Sequence, residues 1–301
     1  VNTTTSPPAQ VRIEVSEDVE LAVEASPRVA SMYHLSPYVW REENQYAMLL
    51  RVVNRSEIAT EKVARVHFGT SDDGIRFLID DDPVLAPGPS IEDLDGCEDP
   101  TVAESDGTYY VYYSGWNGER DESNLLLATG RSARELTKRG LALASSPQYL
   151  NPKEATLQRT ASGWRLFFEY ARHDRSHIGL AVANSIGGPW VVLPDTLHLK
   201  PQGWDSGMRS PGPLVRLGDQ LVMFYNGATN DGRWKIGWMS FDADLKLRRQ
   251  SDGPILLGSA PEPSARDMAF VSSTVVIDQT KLWLYYSVAD MQMRRATILV
   301  S

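Results

Sequence analysis

A short apolar strand, a turn and a longer aromatic strand recur five times along the chain, and no other feature limits the possible folds as strongly. The long runs are 46–51, 109–114, 164–169, 221–226 and 282–287, each rich in aromatic or β-branched residues. Polar or glycine-containing turns such as Ser105-Asp106-Gly107 and Ser162-Gly163 precede them. Upstream of each lies a shorter run, at 37–39, 100–102, 155–157, 212–215 and 271–275, and in most units a third strand follows, as at 66–70, 125–129, 178–182 and 235–240. The short runs begin near Pro37, Pro100, Ala155, Gly212 and Ser272, about 60 residues apart, which marks an array of supersecondary units. With three or four antiparallel strands per unit and almost no helical periodicity, the expected fold is all-β, a five-bladed β-propeller with a central funnel-shaped active site. A β-sandwich has no reason to repeat strand, turn and strand five times. One propeller domain is expected over 10–301, with the polar segment 1–9 disordered. A strand at 10–15 or 20–23 is expected to close the ring by completing the last blade.

The 301 residues carry a formal net charge of −9, which leaves no basic surface to neutralise a phosphate backbone and argues against a nucleic-acid partner. No stretch approaches the roughly 18 apolar residues of a membrane span. One cysteine, Cys97, excludes an internal disulfide framework and a multi-cysteine zinc site. That fits a reducing compartment and leans the expected localisation to the cytoplasm, although a secreted chain without disulfides would look the same. The first residues lack the apolar core of a signal peptide, and a cleaved signal would leave no trace. Oligomeric state has no signature here.

A propeller sets the first strand of each blade against its central channel, so the residues leading into those strands should converge. They are Ser36 in the first blade, Cys97-Glu98-Asp99 in the second and Lys153-Glu154 in the third. The fourth blade offers Trp204-Asp205 and Arg209-Ser210, and the fifth Arg266-Asp267. Any one acid could equally cap a turn, but several acids and bases in one pocket are unusual for a structural core, where unpaired charge is costly. Converging polar groups in a concavity are the signature of a binding site. Aromatics near strand ends, namely Tyr33, Tyr113, Trp116, Tyr170, Trp204 and Tyr225, suit a sugar ligand, whose apolar ring faces stack on them. Packing alone also favours Tyr and Trp in strands, so Trp116, in the loop Ser114-Gly115-Trp116-Asn117-Gly118, is the best candidate platform. His173 and His177 have an i, i+4 spacing, but in a polar hairpin and without an HExxH pattern, so no metal is expected. No cofactor-binding fingerprint is present, and Ser210 lacks a nucleophile elbow.

The segment Gly96-Cys97-Glu98-Asp99-Pro100, followed by the 109–113 strand, resembles glycoside hydrolase family 130, the β-mannoside phosphorylases and β-mannosidases. The resemblance extends to Leu49-Leu50-Arg51, to Lys153-Glu154 with the 164–170 strand, to Phe224-Tyr225-Asn226-Gly227 and to the 285–290 segment ending in Asp290. It implies a five-bladed propeller acting on an oligosaccharide or glycoside, with Asp99 as general acid delivering its proton through a sugar hydroxyl. It also implies that Arg51, Glu154, Asp267 and Asp290 hold the sugar beside the cleaved bond. Ser36, Glu98, Tyr113, Trp116, Lys153, Asp205, Arg209 and Asn226 complete the expected binding set.

The departures from the family are informative. Its phosphorylases follow Glu-Asp-Pro with Arg, where this chain has Thr101; they carry His-Arg where it has Glu169-Tyr170, and His where it has Asn226. Around 207–209, where they carry a Lys, Arg209 is the nearest cation. Losing cationic donors and gaining a carboxylate disfavours an anion and favours activation of water. The expected activity is inverting hydrolysis, with Asp99 as acid and Glu169 as base, Glu154 being the other candidate for base. Phosphorolysis, with Arg51, Arg172 or Arg209 rebuilding a phosphate site, and a non-catalytic glycan-binding propeller are the alternatives.

Overall fold

The long aromatic runs owe their composition to burial on both faces. In the computed structural model, which describes residues 12–301 except 57, 59–60, 195–196, 198, 200, 219 and 260–264, each run becomes the second strand of a blade. Met48, Leu50 and Val52 pack against Val275 and Tyr285, whereas Ala47 and Leu49, pointing the other way, pack against Val111, Tyr113 and Leu126. The alternation repeats around the molecule: Tyr112 joins Leu166 and Phe168, Phe167 joins Met223 and Tyr225, and Phe224 joins Leu284 and Tyr286. Successive side chains of a strand point to opposite faces, so a strand packed between two neighbours reads as a continuous apolar run. These five clusters are the five interfaces of a closed ring of blades.

Blade one comprises Tyr33–Glu42, Gln45–Val53, Ala64–Ser71 and Arg76–Leu85; blade two comprises Gly96–Ser105, Thr108–Asn117, Glu122–Ser132 and Glu135–Leu143. Blade three runs through Leu150–Thr160, Gly163–Arg172, Arg175–Ala183 and the short Val191–Val192. In blade four the inner strand is split into Met208–Ser210 and Leu214–Leu217, both paired with Gln220–Ala228, and Lys235–Phe241 and Leu247–Gln250 follow. Blade five has Ala269–Val276, Lys281–Val288 and Gln292–Val300 from the C-terminal part of the chain, and Ile13–Glu20 from the N-terminal part. The closing strand therefore lies at Ile13–Glu20, overlapping the expected 10–15 segment and reaching the start of the 20–23 one, and Ala22–Glu24 instead adds in parallel to the outer strand of blade one. One chain thus ties the last blade to the first. The expected disorder of 1–9 falls outside the described residues.

Hydrogen bonds also join neighbouring blades at every junction around the inner strands. The Tyr38 hydroxyl donates to the Val102 carbonyl (2.9 Å), Thr101 to Ala155 (2.7 Å) and Thr156 to Gly212 (2.9 Å). Asn226 accepts from the Val271 N–H (2.7 Å) and donates to its carbonyl (3.2 Å). Ser273 closes the circle, donating to Pro37 and accepting from the Val39 N–H, both at 2.8 Å. These ties saturate backbone groups that no ladder reaches, and their loss strands buried partners. Asn226→Leu is expected to destabilise the fold by about 2–4 kcal/mol, because it orphans both polar groups of Val271. Denaturant unfolding checks this, and a change under 0.5 kcal/mol would show the tie to be dispensable.

Candidate active site

The site is built where the inner strands break their own pairing. The register slips between Leu35 and Tyr38, between Glu98 and Thr101, and between Lys153 and Thr156, so each of the first three inner strands bulges at the same level. At each bulge one non-glycine residue takes a positive φ: Ser36 at 48°, Asp99 at 47° and Glu154 at 51°. Such backbone costs of order 1–3 kcal/mol per residue and persists where the surroundings enforce it. Here it brings three polar side chains from three blades together.

Asp99 is the hub. Its Oδ1 accepts the Ser36 hydroxyl at 2.6 Å and Arg51 Nη1 at 3.1 Å, while Arg51 Nη2 lies 2.8 Å from Glu98 Oε1. The carboxyl groups of Asp99 and Glu154 also act on each other, the negative charge of Asp99 raising the proton affinity of Glu154. Lys153 sits 3.6 Å from Glu169 Oε1, which also accepts the Ser176 hydroxyl at 2.7 Å. Burial would push the Asp99 carboxyl up, but Arg51, Ser36 and Lys153 outweigh it and hold Asp99 below the ordinary aspartate range. Glu154 lies well above the glutamate range, through burial first and then the negative charges of Asp99 and Glu169. Burial also raises Glu98 and Asp290, against the pull of Arg51. Glu169 in turn holds the Lys153 ammonium above its usual range.

Of these groups Arg51, Glu98, Lys153 and Asp290 line a cavity of about 770 Å³, together with Tyr33 and Trp116 among others, while the buried Asp99 and Glu169 are reached through their contacts with Arg51 and Lys153. The structure therefore gathers Ser36, Arg51, Glu98, Asp99, Lys153, Glu154, Asp290 and Trp116 into one region, with Glu169 buried beneath Lys153. Other expected binding residues lie elsewhere. Tyr113 is a core residue whose hydroxyl donates to the buried Asp93 at 2.9 Å, because residues pointing that way from its strand face blade one. Asp205 and Arg209 form an internal ion pair at 2.8 Å, with the Tyr225 hydroxyl on Asp205 at 2.8 Å. Both are almost fully buried, so they brace blade four and do not line the cavity. Asn226 is the junction residue described above. Asp267 is exposed, 3.8 Å from Arg233. Of the candidate aromatic platforms, Tyr33 and Trp116 line the cavity; Tyr170 and Tyr225 are core, and Trp204 packs on Tyr225 with ring centroids 5.4 Å apart.

Lys62, Ser123, Asn151 and Met291 also line the cavity and were not legible in the sequence. Lys62 and Met291 lie between strands, Ser123 at the start of the third strand of blade two, and Asn151 at the start of the inner strand of blade three, ahead of the short run read from the sequence. Asn151 has a positive φ of 52° and accepts the Ser123 N–H of the preceding blade at 3.0 Å, a contact that no motif announces. The pocket offers proton donors and acceptors, cations and two aromatic faces, which suits a polyhydroxylated ligand and acid–base chemistry on it.

Comparison with known proteins agrees with this chemistry. The family model for glycoside hydrolase family 130, described as beta-1,4-mannooligosaccharide phosphorylase, matches residues 4–136. A 1,2-beta-oligomannan phosphorylase from Thermoanaerobacter sp. (strain X514) is 26% identical over 236 residues, covering 76% of each chain. A glycosyl hydrolase from Bacteroides ovatus superposes with a TM-score of 0.76 at 21% identity, covering 88% of this chain and 84% of that one. Another structure, reported with the finding that the GH130 family of mannoside phosphorylases contains glycoside hydrolases that target beta-1,2 mannosidic linkages in Candida mannan, gives 0.74 at 21% identity, with the same coverage. At these identities the structural likenesses establish the fold.

The bulge geometry has a direct consequence for substitutions. Asn tolerates the left-handed region whereas a β-branched residue does not, so Asp99→Val should be about 1–2 kcal/mol less stable than Asp99→Asn. Equal unfolding midpoints for the two variants would mean that the backbone at Asp99 is unstrained.

Proposed function

The chain belongs to glycoside hydrolase family 130, and from that premise we propose that it cleaves β-mannosides or related oligosaccharides with water, inverting the anomeric centre. The observation that carries this reading is the fate of the positions where the family's phosphorylases hold cationic donors. Thr101 and Asn226, which stand there instead, are committed to inter-blade hydrogen bonds, and Arg209, the nearest cation around 207–209, is committed to Asp205. Glu169 stands where those enzymes carry His, and it engages Lys153. A carboxylate there repels phosphate and can accept a proton from water.

In this mechanism Asp99 supplies the proton that departs with the leaving group, by way of a sugar hydroxyl. Arg51, Glu98 and Asp290 line the cavity beside it and hold the sugar. Inverting pairs keep their carboxyls about 6.5–9.5 Å apart to admit a water. Glu169, which replaces a family His and engages Lys153, is assigned the role of that base, and Glu154, whose proton affinity the negative charge of Asp99 raises, is the other candidate. Phosphorolysis is the second reading. The two curated relatives are both phosphorylases, and Arg51, Lys62 and Lys153 are the cavity cations that a phosphate could meet.

A panel of β-mannosides and mannobioses, assayed with and without inorganic phosphate, separates the two. Free sugar released at a phosphate-independent rate is expected; sugar 1-phosphate as product would replace hydrolysis by phosphorolysis. Glu169→Gln should lower turnover by about 10²–10⁴-fold while leaving unfolding cooperative, and near wild-type turnover would remove Glu169 as the base.

A further inference from the structure

The cavity of about 770 Å³ is larger than one hexose ring needs, and part of its wall is built at the junction of blades two and three from Trp116, Ser123 and Asn151. Trp116 and Ser123 stand opposite each other on the second and third strands of blade two, so their side chains leave the sheet on the same face. Asn151 comes from the inner strand of blade three, and its Oδ1 accepts the Ser123 N–H at 3.0 Å. Its own N–H donates to the Ser145 hydroxyl at 3.1 Å, and its φ of 52° turns it out of the regular strand. The three residues are therefore contiguous, and a hydrogen bond across the blade junction fixes them.

That bond also orients the Asn151 amide, with its oxygen toward Ser123 and its NH2 left over. Among the described residues, neither this NH2 nor the Ser123 hydroxyl has a hydrogen-bond partner, and no ring or cation stacks on Trp116. Gly96, opposite Trp116 on its other side, adds no side chain. The other aromatic of the cavity differs: the Tyr33 ring already carries Arg55 at 4.8 Å and Lys62 at 5.9 Å from its centroid. Lys153, two residues beyond Asn151, is engaged with Glu169 at 3.6 Å. An open indole face beside a free amide donor and a free hydroxyl, with no unpaired charge, suits a neutral sugar ring.

From this geometry we propose that Trp116, Ser123 and Asn151 form a subsite for a second, neutral sugar unit adjoining the one held at Asp99, so that the protein selects oligosaccharides over simple glycosides. The proposal rests on the reading above for the place of the cleaved bond. Trp116 stacks on the apolar face of the second ring. Asn151 Nδ2 donates to one of its hydroxyl oxygens, and the Ser123 hydroxyl exchanges a hydrogen bond with another. The three residues determine specificity and take no part in breaking the bond.

Turnover of β-mannotriose and of methyl β-mannoside, compared within one preparation of each variant, tests this. The variants are Trp116→Ala and Asn151→Gly, glycine being at ease in the left-handed backbone. In both, kcat/KM on the trisaccharide should fall roughly tenfold or more beyond any fall on the methyl glycoside. A loss of folded protein cancels in that ratio. Equal losses on the two substrates, or no loss on either, would overturn the subsite. The ratio reads the same whether free sugar or sugar 1-phosphate is released, so an error in the proposed hydrolysis leaves it intact. A second measurement needs no turnover and decides the subsite alone if no mannoside is cleaved. In Asp99→Asn, β-mannotriose should quench tryptophan fluorescence and bind roughly tenfold more tightly than mannose, and adding Trp116→Ala should abolish that advantage. Equal affinity for the two sugars, or an advantage that survives Trp116→Ala, would equally overturn it.

Discussion

The ring depends on how its inner strands are held where their own ladders fail. A bulge leaves backbone N–H and C=O groups without partners in the strand pair, and buried polar groups cannot be left unpaired. Side chains of the neighbouring blade satisfy several of them: Thr101 for Ala155, Thr156 for Gly212, Asn226 for Val271, Ser273 for Pro37 and Val39. Each of these contacts also fixes one blade against the next. The same irregularity that turns Ser36, Asp99 and Glu154 toward one another therefore locks the angular position of the blades that carry them. Site and scaffold are one structure at this level.

This coupling limits what the positions can do chemically. A side chain spent on a junction is unavailable to a ligand, and Thr101 and Asn226 are spent in this way. Arg209 is likewise engaged, 2.8 Å from Asp205 inside blade four. What remains at the cavity is a mixture of carboxylates and cations that largely satisfy each other, with Arg51 bridging Glu98 and Asp99 and Lys153 facing Glu169. A neutral, hydroxyl-rich ligand can exchange hydrogen bonds with such a set without paying for a new unpaired charge. An anion has to compete with carboxylates already in place.

Much of the fold was legible because its physics is repetitive. A strand packed on both faces must be apolar throughout, and five such runs at a near-constant interval leave few architectures. The convergence of Ser36, Asp99, Lys153 and Glu154 followed from the same repeat, since equivalent positions of a ring meet at its axis. Tyr113, Asp205 and Asn226 misled for a complementary reason. They belong to the same segments, but their direction and partners are set by side-chain alternation and by blade-to-blade contacts that the linear pattern does not encode. Tyr113 points to Asp93 and Asn226 to Val271, both distant in sequence. Lys62 and Met291 were missed because loop residues carry no periodicity.

The sequence by itself determined the all-β architecture, the number of blades and the level at which acids and bases collect, because burial on alternating faces and a repeated strand–turn–strand unit write themselves directly into residue order. Only the tertiary structure decided which polar groups of the site meet. The clamp of Ser36 and Arg51 on Asp99 and the withdrawal of Asn226 and Arg209 into the scaffold depend on register slips and blade-to-blade contacts. Those features arise when five blades close on one another, and a protonation state depends on separations of a few ångströms between groups that only closure brings together.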